Sequence, residues 1–470
     1  MDRTDTVTQP GLVQRLGLLD STTIVMGSMI GSGVFIVSAD IARQVGSPVL
    51  LMATWAATAA LTMIAALSYG ELAAMMPRAG GQYVYLREAF GPLWGFLYGW
   101  TLFAVIQCGT LAAVAVAFAK FLGVFVPAVS ADAWLVKIGP AGINTQMVVA
   151  IGLILALTWH NTRGIEAGAR VQNIFTIAKI GALAGLIAAG VFFGRQPEAI
   201  ERNFGRFWEV PFSAWDAVRL TAVAMVGALF SSDAWNNVTF TAGEVRNPKR
   251  NLPLSLALGV GIVSVIYLAC NLVYLMALPL EAIQSAPEDR VATAVIGQIL
   301  GPAATQVMAL AVMVSTFGCL NGMIFAGARV YYAMARDGLF FEAAGRVNEK
   351  SHTPNHSLWM QGAWAALLTL TGRYSDLLDY VIFAVLLFYI LTIAGLFVLR
   401  RTRPGAERPY RAFGYPLLPA VYIAAAAFIE LMLLLYKPSY TWPGLLIVLT
   451  GIPVYLAWRK RRDSSMRSEA

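Results

Sequence analysis

The chain has 470 residues, of which 58% are hydrophobic and only 13% charged, with a formal net charge of +8. A soluble protein carries about 25% charged residues, so a water-soluble fold of two or three domains is excluded. Cys108, Cys270 and Cys319 each lie inside an apolar stretch, which excludes a disulfide framework and reads as buried free thiols.

Residues 1–17 are polar and read as a cytoplasmic tail, without the short apolar core and cleavage site of a secretory signal. Twelve apolar stretches follow, over about 18–42, 48–75, 92–126, 145–161, 170–193, 214–242, 253–279, 304–332, 355–372, 376–400, 414–436 and 440–459. A helix needs about 20 apolar residues to cross a hydrocarbon core of about 30 Å. The expected fold class is therefore all-α integral membrane, with twelve transmembrane helices in one domain over 18–459 and a second cytoplasmic tail over 460–470. The third and eighth stretches are long enough to tilt or to extend beyond the bilayer.

An even number of spans places both termini on one side. Of the 34 Lys and Arg residues, 23 fall on the side of the termini, 8 on the other and 3 within spans. By the positive-inside rule both termini are cytoplasmic, in a multi-pass protein of the cell (plasma or inner) membrane. The basic residues are spread over many short loops rather than one patch, which removes the case for nucleic acid.

Two spans contain a specific interruption. The first reads Gly27-Ser28-Met29-Ile30-Gly31-Ser32-Gly33, three glycines in seven residues. Each glycine lowers helix stability by about 1 kcal/mol relative to Ala, so the cluster favours local unwinding. The freed N–H groups of Gly31, Ser32 and Gly33 would then face an anion at a half-helix N-terminus. The sixth span contains Phe230-Ser231-Ser232-Asp233-Ala234-Trp235-Asn236-Asn237. Ser, Asn and Asp compete with helical backbone bonding, and the carbonyls of such a break suit an ammonium group. Alone, the glycines are also read as a packing face, and the polar run as an interhelical hydrogen-bond cluster. Occurring in spans 1 and 6, the first helices of two five-helix halves, they point to a transporter site at a repeat interface. Donors on one break and acceptors on the other match a zwitterion.

Charges inside spans need a partner or a function, at a cost of at least about 2.5–3.5 kcal/mol each. Lys179, mid-span, could bridge carbonyls of the first break and residues of the eighth span such as Ser315 and Thr316. It would then replace a sodium ion or carry a coupling proton, the alternative being a structural or snorkelling lysine. Asp233 could bind a cationic side chain, pair with Lys179 or accept backbone N–H bonds. Glu71 and Glu244, near cytoplasmic ends, are read either as inner-gate ion pairs or as solvated helix ends. Lys120 and Arg219 snorkel near outer ends. The three histidines join no Cys or acidic constellation, so no metal and no cofactor are expected. No HExxH, P-loop or GxSxG motif is present, which argues against an enzyme.

Four blocks together resemble the amino acid–polyamine–organocation superfamily, most closely its L-type amino acid transporter branch. They are GSMIGSGVF in the first span, YGELAAMMPRAGGQYVYLREAFGPLWGFLYGW through spans 2 and 3, LFSSDAWNNVTFTAGEVRNPKRNLP after the sixth break, and STFGCLNG with ARVYYAMARDGLF around the eighth. The likeness spans about residues 15–400. It implies a LeuT-type fold of inverted repeats (about 18–193 and 214–400) plus two helices over about 414–459, and alternating access for amino acids. It also implies a substrate carboxylate at Gly31, Ser32 and Gly33. The amine would meet carbonyls around Ser28, Met29, Phe230, Ser231 and Asp233, with Ala234 and Trp235 in the same segment. Phe230 resembles the family's aromatic gate, and Lys179 the lysine that stands in place of a sodium site. Asp233 stands where many neutral amino acid members have a small residue and some members accepting cationic amino acids have an acid. The 127–144 loop lacks the cysteine by which animal members join a glycoprotein heavy chain, so no disulfide-linked heavy chain is expected. The reading is a sodium-independent amino acid exchanger or proton symporter for neutral L-amino acids. A cationic amino acid or polyamine carrier using Asp233 is the alternative, and a channel or transporter-like nutrient sensor a remote one.

Overall fold

The computed structural model describes residues 11–138, 141–371 and 374–468. Residues 1–10 of the expected N-terminal tail, Arg373 and the last two residues of the expected C-terminal tail lie outside the described residues.

The chain is helical nearly throughout. The first half runs α1 (Leu18–Met29), α2 (Gly33–Val45), α3 (Pro48–Met75), α4 (Gln82–Phe90), α5 (Pro92–Thr101), α6 (Gln107–Leu122), the strands β1 (Trp134–Ile138) and β2 (Ala141–Asn144), α7 (Thr145–Asn161), α8 (Ile165–Phe193) and α9 (Pro197–Phe204). The second half runs α10 (Ala214–Ser231), α11 (Asn237–Phe240), α12 (Pro248–Ala277), α13 (Leu280–Gln284), α14 (Val291–Leu300), α15 (Ala304–Arg336), α16 (Asn355–Thr369), α17 (Tyr374–Thr402), α18 (Leu417–Tyr436) and α19 (Pro438–Ser468). Local chemistry sets several ends. Pro48 and Pro248 open α3 and α12, where a missing N–H costs nothing. Asn144 caps α7 by accepting from Met147 N at 2.9 Å, and Ser213 caps α10 by accepting from Asp216 N at 3.1 Å. Gly46, at φ 54°, closes α2 in the left-handed region.

Among the described residues, nine helices are long and apolar enough to cross a membrane, or ten if α1 and α2 form one bent span. Of the twelve expected stretches, two give shorter helices. α7 has 17 residues and α16 has 15, or about 25 Å and 23 Å at 1.5 Å per residue. β1 and β2 form an antiparallel hairpin within the loop expected between the third and fourth stretches. α19 continues as helix through Ser468, over most of the expected C-terminal tail.

α1 is surrounded by α8, α12 and α15, α3 lies along α12, and α10 lies along α2. Large apolar side chains such as Ile174, Ile177, Phe192, Phe193 and Val265 cover the outside, at more than half exposed each. This is a lipid-facing surface rather than a water-facing one. The chain is a multi-pass membrane protein.

α1 and α2 meet at 42° across residues 30–32. Helical bonding also stops between Ser231 and Asn237, where Ala234 has φ 63°, a conformation costly for a residue with a β-carbon. The three glycines of the first break differ in role. A β-carbon on Gly27 would lie 1.9 Å from Gln172 Nε2, and one on Gly33 would lie 2.2 Å from Ser231 Oγ. Both sites are therefore close-packing positions. One on Gly31 would meet only Cys319 Sγ at 3.6 Å, an ordinary contact. Gly33→Ala is therefore expected to lower stability by about 1–3 kcal/mol through overpacking, while Gly31→Ala leaves it near wild type. Chemical unfolding of the detergent-solubilised variants measures the difference.

Candidate functional site

Helix α1 stops because Ile30 turns extended, at φ −77° and ψ 95°. Buried carbonyls at a helix end need donors, and here they come from other helices. The Lys179 ammonium, on α8, donates to Gly27 O at 2.8 Å, Ile30 O at 2.7 Å and Ser315 O at 3.1 Å. Ser315 Oγ, on α15, lies 3.1 Å from Ile30 O and 2.8 Å from Gly31 O. Cys319 Sγ donates to Ser28 O at 3.1 Å. Tyr267 and Tyr274, on α12, place their hydroxyls 3.2 Å from Met29 O and 3.1 Å from Val34 O. Thr316 takes no part, since its hydroxyl bonds back to Val312 O and Met313 O within α15.

The donors of the same break are unspent. Among the described residues, Gly31 N–H and Ser32 N–H reach no protein acceptor. Gly33 opens α2, where an N–H has no intrahelical partner. Ser28 Oγ is buried without a partner as well.

At the second break, Ser232 N and Asp233 N fold back onto Phe230 and its preceding turn. Phe230 is half-buried and Ser231 buried. Tyr267 OH also lies 3.1 Å from Ser231 O, so one hydroxyl touches both breaks. Asp233 does not meet Lys179. Its Oδ1 accepts from Tyr389 OH, on α17, at 2.6 Å. Trp235 is buried against Tyr69 and Tyr389, with ring centroids 4.8 and 5.2 Å apart. Asn236 donates to Gln82 Oε1 at 2.8 Å, and Gln82 in turn to Thr392 Oγ1 at 3.1 Å.

Space is distributed unevenly about these breaks. A cavity of about 770 Å³ reaches from Lys120, Glu288 and Arg290 down to Ser32 and Ile36. Beside Asp233, Asn236, Gln107 and Tyr389 the cavity is only about 20 Å³, room for one water. At the opposite end the chain is sealed. Arg15 N and Leu16 N donate to Glu244 O at 2.9 Å each, and Arg246 N donates to Leu16 O at 2.8 Å. Glu244 and Arg329 form a two-bond ion pair at 2.9 and 3.0 Å, with both side chains wholly buried. Glu71, also buried, accepts from Arg400 at 2.9 and 2.6 Å and from Ala412 N at 2.7 Å. The two glutamates are thus ion-paired interior groups and not solvated helix ends. Lys120 pairs with Glu288 at 3.1 Å, and Arg219 with Asp216 at 3.1 Å.

Periodicity does not single out Tyr267, Tyr389, Gln82 or Cys319, because the role of each rests on a partner far away in the chain. The π-turn over Leu102–Ile106, two of whose residues line the small cavity, left no mark in the sequence either. No group of three His, Cys, Asp or Glu residues among the described ones is arranged to hold a metal.

Comparison with known proteins bears on this arrangement. The family model described as amino acid permease matches residues 16–455. The chain belongs to the amino acid permease family. It is 32% identical over 448 residues to the b(0,+)-type amino acid transporter 1 of Mus musculus, covering 94% of this chain and 88% of that protein. It is 32% identical over 450 residues to the large neutral amino acids transporter small subunit 2 of Rattus norvegicus, covering 94% and 80%. It is 30% identical over 457 residues to the Asc-type amino acid transporter 1 of Mus musculus, covering 96% and 82%. These relatives are transporters, and the chain is not an enzyme.

Removing one member of the Glu244–Arg329 pair leaves a buried charge without compensation. Arg329→Met is expected to destabilise the protein by about 3–5 kcal/mol, and adding Glu244→Leu to recover most of that loss. Denaturant unfolding of the single and double variants tests this cycle.

Proposed function

We propose that this chain is a sodium-independent transporter of amino acids, working by alternating access as an exchanger or a proton symporter. The observation that carries the reading is the first break. Its carbonyls are met by Lys179, Ser315, Cys319 and Tyr267, while the N–H groups of Gly31 and Ser32 reach no protein acceptor. A substrate carboxylate suits the row Gly31, Ser32 and Gly33, where a half-helix N-terminus favours an anion. The α-amine suits the carbonyls of Ser28, Met29, Phe230 and Ser231, each of which keeps a second lone pair. Phe230, Asp233, Ala234 and Trp235 border the side chain. In this reading the twelve expected helices form two inverted five-helix repeats of LeuT type followed by α18 and α19. The cavity reaching Ser32 is the outer vestibule, and the sealed end with both termini is cytoplasmic.

The ammonium of Lys179 occupies a place among three carbonyls that would suit a sodium ion. Vesicles reconstituted with the purified protein are expected to take up labelled L-amino acids without a sodium gradient. Strict sodium dependence would sink the assignment. Lys179→Ala, inserted normally, is expected to lose about tenfold or more of the uptake rate, as for a lost charge-assisted hydrogen bond of about 1.5–3 kcal/mol.

A second reading is favoured by Asp233, a carboxylate held at the break by one tyrosine and by no cation. It suits a cationic amino acid or a polyamine, whose second positive charge would meet this carboxylate. Arginine or putrescine is then expected to compete with labelled substrate, and Asp233→Asn to abolish that competition while sparing neutral substrates. Absence of competition by any cation assigns the chain to neutral substrates alone. The 127–144 loop carries no cysteine for a disulfide-linked partner.

A further inference from the structure

Helix α18 is an apolar span with a single carboxyl, Glu430. Its outer face carries Leu417, Val421, Leu431 and Leu435, all exposed, and its inner face carries Tyr422, Ala426, Ile429 and Leu433, all buried. Glu430 belongs to the inner set at 7% exposed. Neither of its oxygens has a hydrogen bond of normal geometry, and the polar group that faces it from α17 is the Leu387 backbone. The other acids of the interior are each held, Glu71 by Arg400, Glu244 by Arg329 and Asp233 by Tyr389.

The charged groups that could compensate a charge there are engaged elsewhere or lie at helix ends. α18 packs against α17, α10, α3 and α19. On α10, Arg219 bonds Asp216 and lies over the Tyr436 ring. On α3, Tyr69 packs on Trp235 and Glu71 bonds Arg400 of α17. Tyr389 of α17 donates to Asp233, and Arg401 is exposed at the helix end. Tyr455 of α19 packs on Phe96. Lys437, just past the C-terminal end of α18, is not a hydrogen-bond partner of either Glu430 oxygen, and Arg459 of α19 is exposed. On α18 itself Tyr422 lines, with Asp233 and Tyr389, a cavity of about 20 Å³.

An ionised carboxylate in such a place costs several kcal/mol that no ion pair offsets, and a neutral acid costs less. We propose that Glu430 is a proton-binding site of the transport cycle. In this conformation its carboxyl is a neutral acid. When α18 parts from α10 and α17 and water reaches the side chain, the O–H bond breaks, the proton passes to that water and the carboxylate remains. Return to this conformation requires the proton back. Tyr422, about two turns away on the buried side of α18, borders the Asp233 cavity, so one helix connects Glu430 to the second break.

The inference rests on the transport reading, and two measurements keep them apart. Infrared spectra of the purified protein are expected to show a carboxylic-acid C=O band that E430Q lacks, Asp233→Asn retains, and wild type loses reversibly as pH is raised. E430Q, a neutral isostere, is expected to unfold at the wild-type temperature at low pH. In vesicles, wild-type uptake of labelled L-leucine or L-alanine is expected to fall up to about tenfold per pH unit above the titration point, while E430Q keeps its low-pH rate throughout. A band untouched by E430Q, a band that never titrates, or identical pH profiles for the two proteins would each overturn the proposal. Failure of wild type to take up any amino acid would overturn the transport reading and, with it, the place of Glu430 in a cycle, whereas the infrared titration would still decide whether Glu430 binds a proton.

Discussion

The Lys179 ammonium has three protons, and the structure gives it three carbonyls, Gly27, Ile30 and Ser315. A helix cannot simply stop inside a membrane, because its last carbonyls have no water to turn to. Here the cation from α8 supplies that missing solvent, and Ser315, Cys319 and Tyr267 supply the remainder. All four donors come from elements other than α1. The unwound segment is therefore positioned by α8, α12 and α15 and not by its own sequence. Because the acceptors are met from behind, the donors of the segment stay available in front.

The two ends of the molecule are built on different physics. The sealed end is held by two buried glutamates, Glu244 paired with the buried Arg329 and Glu71 with the partly exposed Arg400. Such pairs contribute little net stability against apolar replacements but punish the loss of one partner. They fix a register more than they add cohesion. The open end is held by Lys120 with Glu288 and Arg43 with Asp289, all partly solvated, and such contacts are worth at most about 1 kcal/mol. Glu288 and Asp289 adopt φ of 50° and 61°, which adds local strain to weak contacts.

Much of the architecture was legible from hydropathy. The stretches 48–75 and 145–161 coincide with α3 and α7, since a run of apolar residues bounded by Pro, Asn or Thr has few other solutions in lipid. A lysine among Ile, Ala and Gly draws the eye to Lys179 for the same reason. What periodicity could not disclose were pairings across the chain. Tyr267 and Tyr389 look like interfacial aromatics until Met29, Ser231 and Asp233 are placed beside them. Thr316 follows Ser315 in sequence, yet 100° of helical rotation separates them, and it bonds within its own helix. Glu71 and Glu244 sit where a charged residue ordinarily meets water, and only the folding of the 400–412 segment and of α15 over them encloses them.

Tyr267 has a single hydroxyl proton, yet two carbonyls lie within 3.2 Å of its oxygen, one from each break. It can satisfy only one at a time. At any instant either Met29 O or Ser231 O is short of a donor in a region where water is scarce. The deficit is one proton wide, it is shared between the two discontinuous helices, and it moves as the hydroxyl rotates. A single N–H brought to either carbonyl cancels this deficit, because the hydroxyl then serves the other, so a donor placed on one helix is felt at both.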